Sequence, residues 1–221
     1  MVPPLVFVDA ATAADALTFA RRAARLGEDA SLRLQARDGV LLLTTAVLAP
    51  RGLLDPSPTV LASRTARVDP ELVCDVVVDP ALLAPGVDAA SLALPESGLS
   101  VGWAGVAPPR AGWSTAGEVA ASVVAAAAQR GMAEVAGETS ATMSEEALRT
   151  VRARVWGAPE PALHGLPLGA AFAAFTLGFV SGEEAARLYA AERWSRLTFA
   201  RGHVLVRLPA RTGLTPVRTT G

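Results

Sequence analysis

Ser31-Leu-Arg-Leu-Gln-Ala-Arg37 alternates apolar and polar residues, Asp38-Gly39 follows, and Val40 to Leu48 returns as a second aliphatic run. A period of two places alternate side chains on opposite faces of a strand. Asp-Gly is among the strongest two-residue hairpin signals, because both central positions favour φ > 0. This stretch therefore predicts an antiparallel hairpin with one face buried, and the chain around it is read as an antiparallel sheet with helices.

Upstream, Leu5-Val-Phe-Val8 reads as a first strand and Thr12 to Leu26 as a helix. Thr12 and Asp15 have capping-box spacing, and Arg21, Arg22 and Arg25 sit in the last turns, where the helix dipole favours cations. Asp9, at the end of the first strand, is expected to accept backbone hydrogen bonds at the helix start. Downstream, Thr59 to Val68 and Leu72 to Val78 read as strands. Asp79-Pro80 opens a short helix to Ala84. Ser91 to Leu94 and Leu99 to Val106 read as a second hairpin.

The chain changes character at Ala107-Pro-Pro-Arg-Ala-Gly112, where alanine-rich helical patterns begin. Thr115 and Glu118 predict a capping box for a helix ending at Arg130-Gly131. Ser144 caps another, with Glu145 and Arg149 paired at i,i+4. Gly169 to Val180 is apolar on nearly every side, as in a helix at the centre of a core. Ser181 and Glu184 predict a cap for a helix running towards Trp194. Leu197 to Ala200 and His203 to Leu208 read as a terminal hairpin. The expected class is α+β: a mostly antiparallel sheet with one long helix over residues 1–110, a helical half with a terminal hairpin over 111–208, and a flexible tail over 209–221.

Composition narrows the chemistry. The 221 residues include no lysine, isoleucine or asparagine, so all 20 basic side chains are arginine. This excludes a lysine Schiff base and a phosphate-loop lysine. The absence of those three types fits a GC-rich coding sequence, such as that of an actinobacterium. A net charge of −1 gives no global field towards nucleic acid or membrane. Lone Cys74 fits a reducing cytoplasm, and no apolar run approaches the ~20 residues of a membrane span. Cys74, His164 and His203 are scattered, so neither a metal nor a cofactor is expected.

Gly98-Leu-Ser100-Val-Gly102 matches the G-x-S-x-G nucleophile elbow, which needs a strand, a sharp turn and a helix around the serine. The flanking Pro95-Glu96-Ser97 and Pro108-Pro109 favour a hairpin instead. Charge separates along the chain: residues 183–221 hold seven arginines against three acids, while residues 1–110 hold nine against twelve. Arg187, Arg193, Arg196, Arg201, Arg207, Arg211 and Arg218 thus form a basic end beside Trp194. Arginine forks suit carboxylates and phosphates, unless these arginines pair with acids of the first half.

Over residues 4–107 the order strand, helix, several strands, short helix, two strands resembles one repeat of a sliding-clamp (DNA polymerase processivity factor) domain. Thr12–Leu26 would be its long helix and Asp79–Ala84 its short one. The resemblance is one of element order. It implies a DNA-facing helix carrying Arg21, Arg22 and Arg25, and the helical second half departs from it.

Three functions emerge. The leading one is a non-enzymatic cytoplasmic binding protein that engages a protein partner or a second copy of itself, with Arg193, Trp194, Arg196, Arg201, His203 and Arg207 as the binding residues. The alternatives are a small-molecule hydrolase using Ser100 and His203, and a nucleic-acid-binding protein using the arginine-rich end. In the latter, three helices and a hairpin would form a winged helix-turn-helix.

Overall fold

In the computed structural model, which describes residues 4–52 and 54–209, Asp38 and Gly39 take φ of 52° and 77°. These are the positive values that a two-residue hairpin turn demands. They join β2 (Leu32–Arg37) to β3 (Val40–Leu48), with Arg37 opposite Val40. The pattern places Leu34 and Leu43 inward as register partners, both 0% exposed. This hairpin seeds an antiparallel sheet of eight strands. The others are β4 (Thr59–Arg67), β5 (Cys74–Val78), β8 (Ser114–Val119), β9 (Ala186–Ala191), β10 (Trp194–Phe199) and β11 (Gly202–Arg207). Their order across the sheet is β5-β2-β3-β4-β11-β10-β9-β8. Each half of the chain contributes four strands, and the halves join where β4 pairs with β11. A smaller sheet holds β1 (Leu5–Val6), β7 (Ser91–Ala93) and β6 (Ala84–Pro85).

The helices α1 (Ala10–Ala24), α2 (Ala121–Glu138), α3 (Glu145–Gly157) and α4 (Gly169–Thr176) gather on one face of the large sheet. α4 lies at the centre, with Ala170, Ala171, Ala173 and Ala174 fully buried, as its unbroken apolar surface requires. Phe179 follows it, stacking on Phe19 of α1 at 6.0 Å and meeting Phe199 of β10 at a tilt, 6.2 Å between centroids. Gly202 makes room for that ring, since a Cβ there would lie 2.5 Å from Phe179. Arg22 of α1 donates to the Leu177 carbonyl at the end of α4, at 2.9 Å. Asp15 of α1 pairs with Arg64 of β4.

The α+β class holds, and several elements differ from expectation. α1 is capped by Asp9, whose carboxylate accepts from Thr12 N at 2.7 Å, so the Thr12 cap is corrected. The second hairpin is not formed: Ser91–Ala93 pairs with β1 and β6, and Gly102–Gly105 is a 3-10 turn. Thr115 and Glu118 lie in strand β8, and α2 starts at Ala121 without a side-chain cap. α2 also runs past Arg130 to Glu138, because Gly131 lies buried against Trp156 rather than ending the helix. The helix expected from Ser181 is strand β9, where Ala186 and Leu188 point inward and Arg187 and Tyr189 outward. With no helix there, the winged helix-turn-helix arrangement is not formed. The expected tail lies outside the described residues beyond Pro209.

Both edges of the large sheet are obstructed. On β5, Leu99 N donates to the Val77 carbonyl at 2.7 Å. On β8, a bulge lies between Thr115 and Gly117, and Gly117 takes a φ of 141°. The His164 ring closes over that glycine, its Nε2 3.3 Å from the Glu118 carbonyl. Bulges and covered edges discourage strand addition.

Candidate functional site

The sheet face away from the helices carries the polar half of each alternating strand. Strand register arranges it in rows. Glu118, Arg187, Thr198, His203 and Ser63 form one, and Thr115, Tyr189, Arg196, Leu205 and Leu61 the next. A third holds Ala191, Trp194, Arg207 and Thr59. β5 and β8 lie at opposite edges, so the connector over residues 95–113 must cross this face. Trp103 Nε1 donates to Ser31 Oγ at 3.0 Å, and Arg33 donates to the Ala104 carbonyl at 2.5 Å. Trp103, Val106 and Trp113 pack on a small cluster of Leu61, Trp194 and Leu205. Arg33 also makes two 2.8 Å bonds to Asp75, whose carboxyl that guanidinium holds below the usual carboxylate range.

Where the connector reaches β8, Trp113 stacks on Arg196. The guanidinium carbon lies 4.5 Å from the Trp113 ring centroid and 4.8 Å from that of Tyr189. Arg196 Nε is buried and has no hydrogen-bond acceptor among the described residues. Beside it, His203 Nδ1 lies 3.2 Å from Thr198 Oγ1. Burial pushes the His203 imidazole below its ordinary pKa, and the positive charge of Arg196 acts in the same direction.

The six predicted binding residues divide into two groups. Trp194, Arg196, His203 and Arg207 share the outer face of β10 and β11. Arg193 and Arg201 sit in the turns at opposite ends of β10. Arg193 donates to the Leu208 carbonyl at 2.8 Å and, with Trp194 and Glu192, lines an open cleft of about 500 Å³. Trp194 is 6% exposed, because Trp103, Val106 and Trp113 of the connector pack over its cluster on this face. Arg211 and Arg218 lie outside the described residues. Arg187, Arg193, Arg196, Arg201 and Arg207 have no carboxylate within 4.0 Å among the described residues, as is true of Arg21, Arg22, Arg25, Arg67, Arg110 and Arg152, whereas Arg33, Arg51, Arg64, Arg130, Arg149 and Arg154 do. Pairing between the halves uses Arg51–Glu146 and Arg149–Asp29 instead.

Ser100 and His203 are not brought together. Ser100 follows the Leu99 contact at the β5 edge. His203 sits on β11, four strand spacings away in the sheet order, or roughly 19 Å. Only the four-residue 3-10 turn Gly102–Gly105 follows the serine, with no strand directly before it and no α-helix directly after it, so the elbow geometry is absent. Cys74 is half-buried on β5, where burial raises its thiol pKa. Among the described residues no three His, Cys, Asp or Glu side chains are grouped to hold a metal ion. No described helix is long and apolar enough to cross a membrane. Sequence reasoning missed Tyr189 and Trp113 as site residues. The outward position of Tyr189 was legible in the alternation of Ala186 to Ala191, but Trp113 reaches Arg196 only through the long connector.

The fold is of the sliding-clamp type. The structure aligns with the DNA polymerase III subunit beta sliding clamp of Bartonella birtlesii with a TM-score of 0.50 at 11% identity, over 96% of this chain and 66% of that one. Two further alignments are to a putative DNA polymerase III beta subunit of Eubacterium rectale (TM-score 0.48, 6% identity, 96% and 66% coverage) and the sliding clamp of Caulobacter crescentus (0.47, 13%, 98% and 67%). The chain thus spans about two thirds of the length of these proteins. Residues 1–105 match the family "Domain of unknown function (DUF8010)", and residues 108–211 match "Domain of unknown function (DUF8185)". No curated protein matches the chain in sequence.

Proposed function

We propose that this clamp-type chain is a non-enzymatic cytoplasmic binding protein that docks an acidic protein partner on the outer face of β9, β10 and β11. Residues 1–110 act as the scaffold and residues 111–208 carry the docking surface. Arg193, Trp194, Arg196, Arg201, His203 and Arg207 belong to that surface, joined by Arg187, Tyr189 and Trp113. The reading rests on one observation: Arg187, Arg196 and Arg207, with Arg193 and Arg201 in the adjoining turns, converge on one sheet face beside Trp113 and Tyr189 with no carboxylate within 4.0 Å among the described residues. Arginine with aromatic neighbours is the composition of interface anchors. The obstructed sheet edges favour docking on the face over addition of a strand.

Anisotropy of a fluorescent polyglutamate chain and of a fluorescent DNA duplex, each at low and high salt, tests the reading. Polyglutamate is expected to bind, and Arg201→Glu combined with Arg207→Glu is expected to weaken it at least tenfold, with light scattering as the check on self-association. Tight duplex binding that the same double variant abolishes would transfer the site to nucleic acid. Binding of neither chain would remove the reading.

A further inference from the structure

Thr198 lies at the centre of an unusual neighbourhood. Its register partners on the outer face are Arg187 on β9 and His203 on β11, and Arg196 stands two residues away on its own strand. Neutral Ser63 continues the row beyond His203, and Glu118 closes it beyond Arg187 without an ion pair among the described residues. Directly opposed residues on neighbouring strands have Cβ atoms about 5 Å apart. Register thus sets Arg187 and His203 on either side of Thr198 and Arg196 next along its strand, with His203 Nδ1 3.2 Å from the Thr198 hydroxyl.

Arg196 supplies the second, independent sign of a ligand. Its guanidinium contacts two rings and its Nε is buried with no acceptor among the described residues. A buried donor left unmade costs free energy that an apolar side chain of the same shape would not. The rings fix the plane of the fork, which is the preparation a bidentate partner requires. Resting on the docking surface described above, we propose that the outer face over Thr198 is a carboxylate-binding subsite, which receives one Asp or Glu side chain of the partner between Arg187, Arg196 and His203. A planar singly charged group matches one clamped fork. A polyphosphate strand would run on towards Glu118 and Glu192 at the margins of the face and meet repulsion there.

The test uses the whole chain with a short polyglutamate peptide, inorganic phosphate and a short single-stranded DNA as separate probes, read by NMR. Peptide is expected to shift the Arg196 Nε–H resonance together with the backbone amides of Thr198 and His203. Arg187→Ala, at an exposed position, should weaken the peptide about tenfold, the size of one lost contact of ~1.4 kcal/mol. Arg196→Met should abolish the Thr198 shift. If peptide binds and shifts other residues of the face, unaffected by Arg196→Met, the subsite is wrong while the docking surface stands. If phosphate or DNA produces the same shifts more tightly than peptide, the assignment of a carboxylate is overturned. If no probe binds anywhere on the face, both fall.

Discussion

Replacing Arg196 with methionine separates a binding residue from a structural one. In the folded chain Arg196 gains from two ring contacts, each worth about 0.5–1 kcal/mol where solvent still reaches the cation. Against this stands a buried Nε without an acceptor, an arrangement that costs roughly 1–3 kcal/mol. Methionine keeps an unbranched stem between Trp113 and Tyr189 and brings sulfur–aromatic contacts of about 0.3–1.5 kcal/mol. These quantities cancel closely, so urea unfolding of Arg196→Met should differ from the parent by no more than about 1 kcal/mol, with a Tm shift of roughly 2–4 °C at most for a chain of this size. Near-neutrality is the signature of a side chain retained for a ligand rather than for packing. A loss above about 3 kcal/mol, in the range of a breached core, would show that the stack holds the connector to the sheet and would refute this reasoning.

Gly202→Ala places a methyl group 2.5 Å from the Phe179 ring and should cost about 1–3 kcal/mol by overpacking, read as a lower urea midpoint. His203 has a folded-state pKa below its unfolded one, near 6.5, so the unfolded chain binds the extra proton first. Stability should be full above that pH and fall as pH drops through it. Arg196 beside the ring, Arg187 one strand further with Glu118 beyond, Arg207 along β11 and Arg201 in the adjoining turn are the charged groups on the face around it. In His203→Gln that part of the pH slope should vanish, and an unchanged slope would assign it elsewhere. A fluorophosphonate probe should leave Ser100 unlabelled, because the serine sits at the β5 edge far from His203; stoichiometric labelling in mass spectrometry would reopen the hydrolase reading.

Local signals carried much of the fold and little of the site. Asp38-Gly39 specified its turn because two adjacent positive φ values have few solutions. The apolar run after Pro167 could only be central, and α4 is. Ser144 caps α3 and Asp79 caps the short 3-10 turn at Pro80–Leu82, each accepting a backbone N–H. The failures share a cause. Ser181/Glu184 and Thr115/Glu118 have capping-box spacing, but a pair of residues three apart occurs by chance, and in both cases the strand won through pairing with β9 or its neighbours. The period-two burial of Ala186 and Leu188 was present in the sequence and was masked by the alanines around it. The candidate arginines could be named from local charge. Their freedom from carboxylates, the stack of Trp113 on Arg196 and the separation of Ser100 from His203 depend on strands distant in the chain, which local patterns do not encode.

The seam between β4 and β11 sets the order in which this molecule can be built. β4 precedes β11 by most of the described chain, so during synthesis the middle of the sheet stays open until residues 202–207 have emerged. Contacts so distant in sequence form slowly, and until they form β4 offers a bare apolar-backed edge to any neighbouring nascent chain. A released chain ending before Gly202 should therefore be aggregation-prone, and extending it through Arg207 should restore solubility.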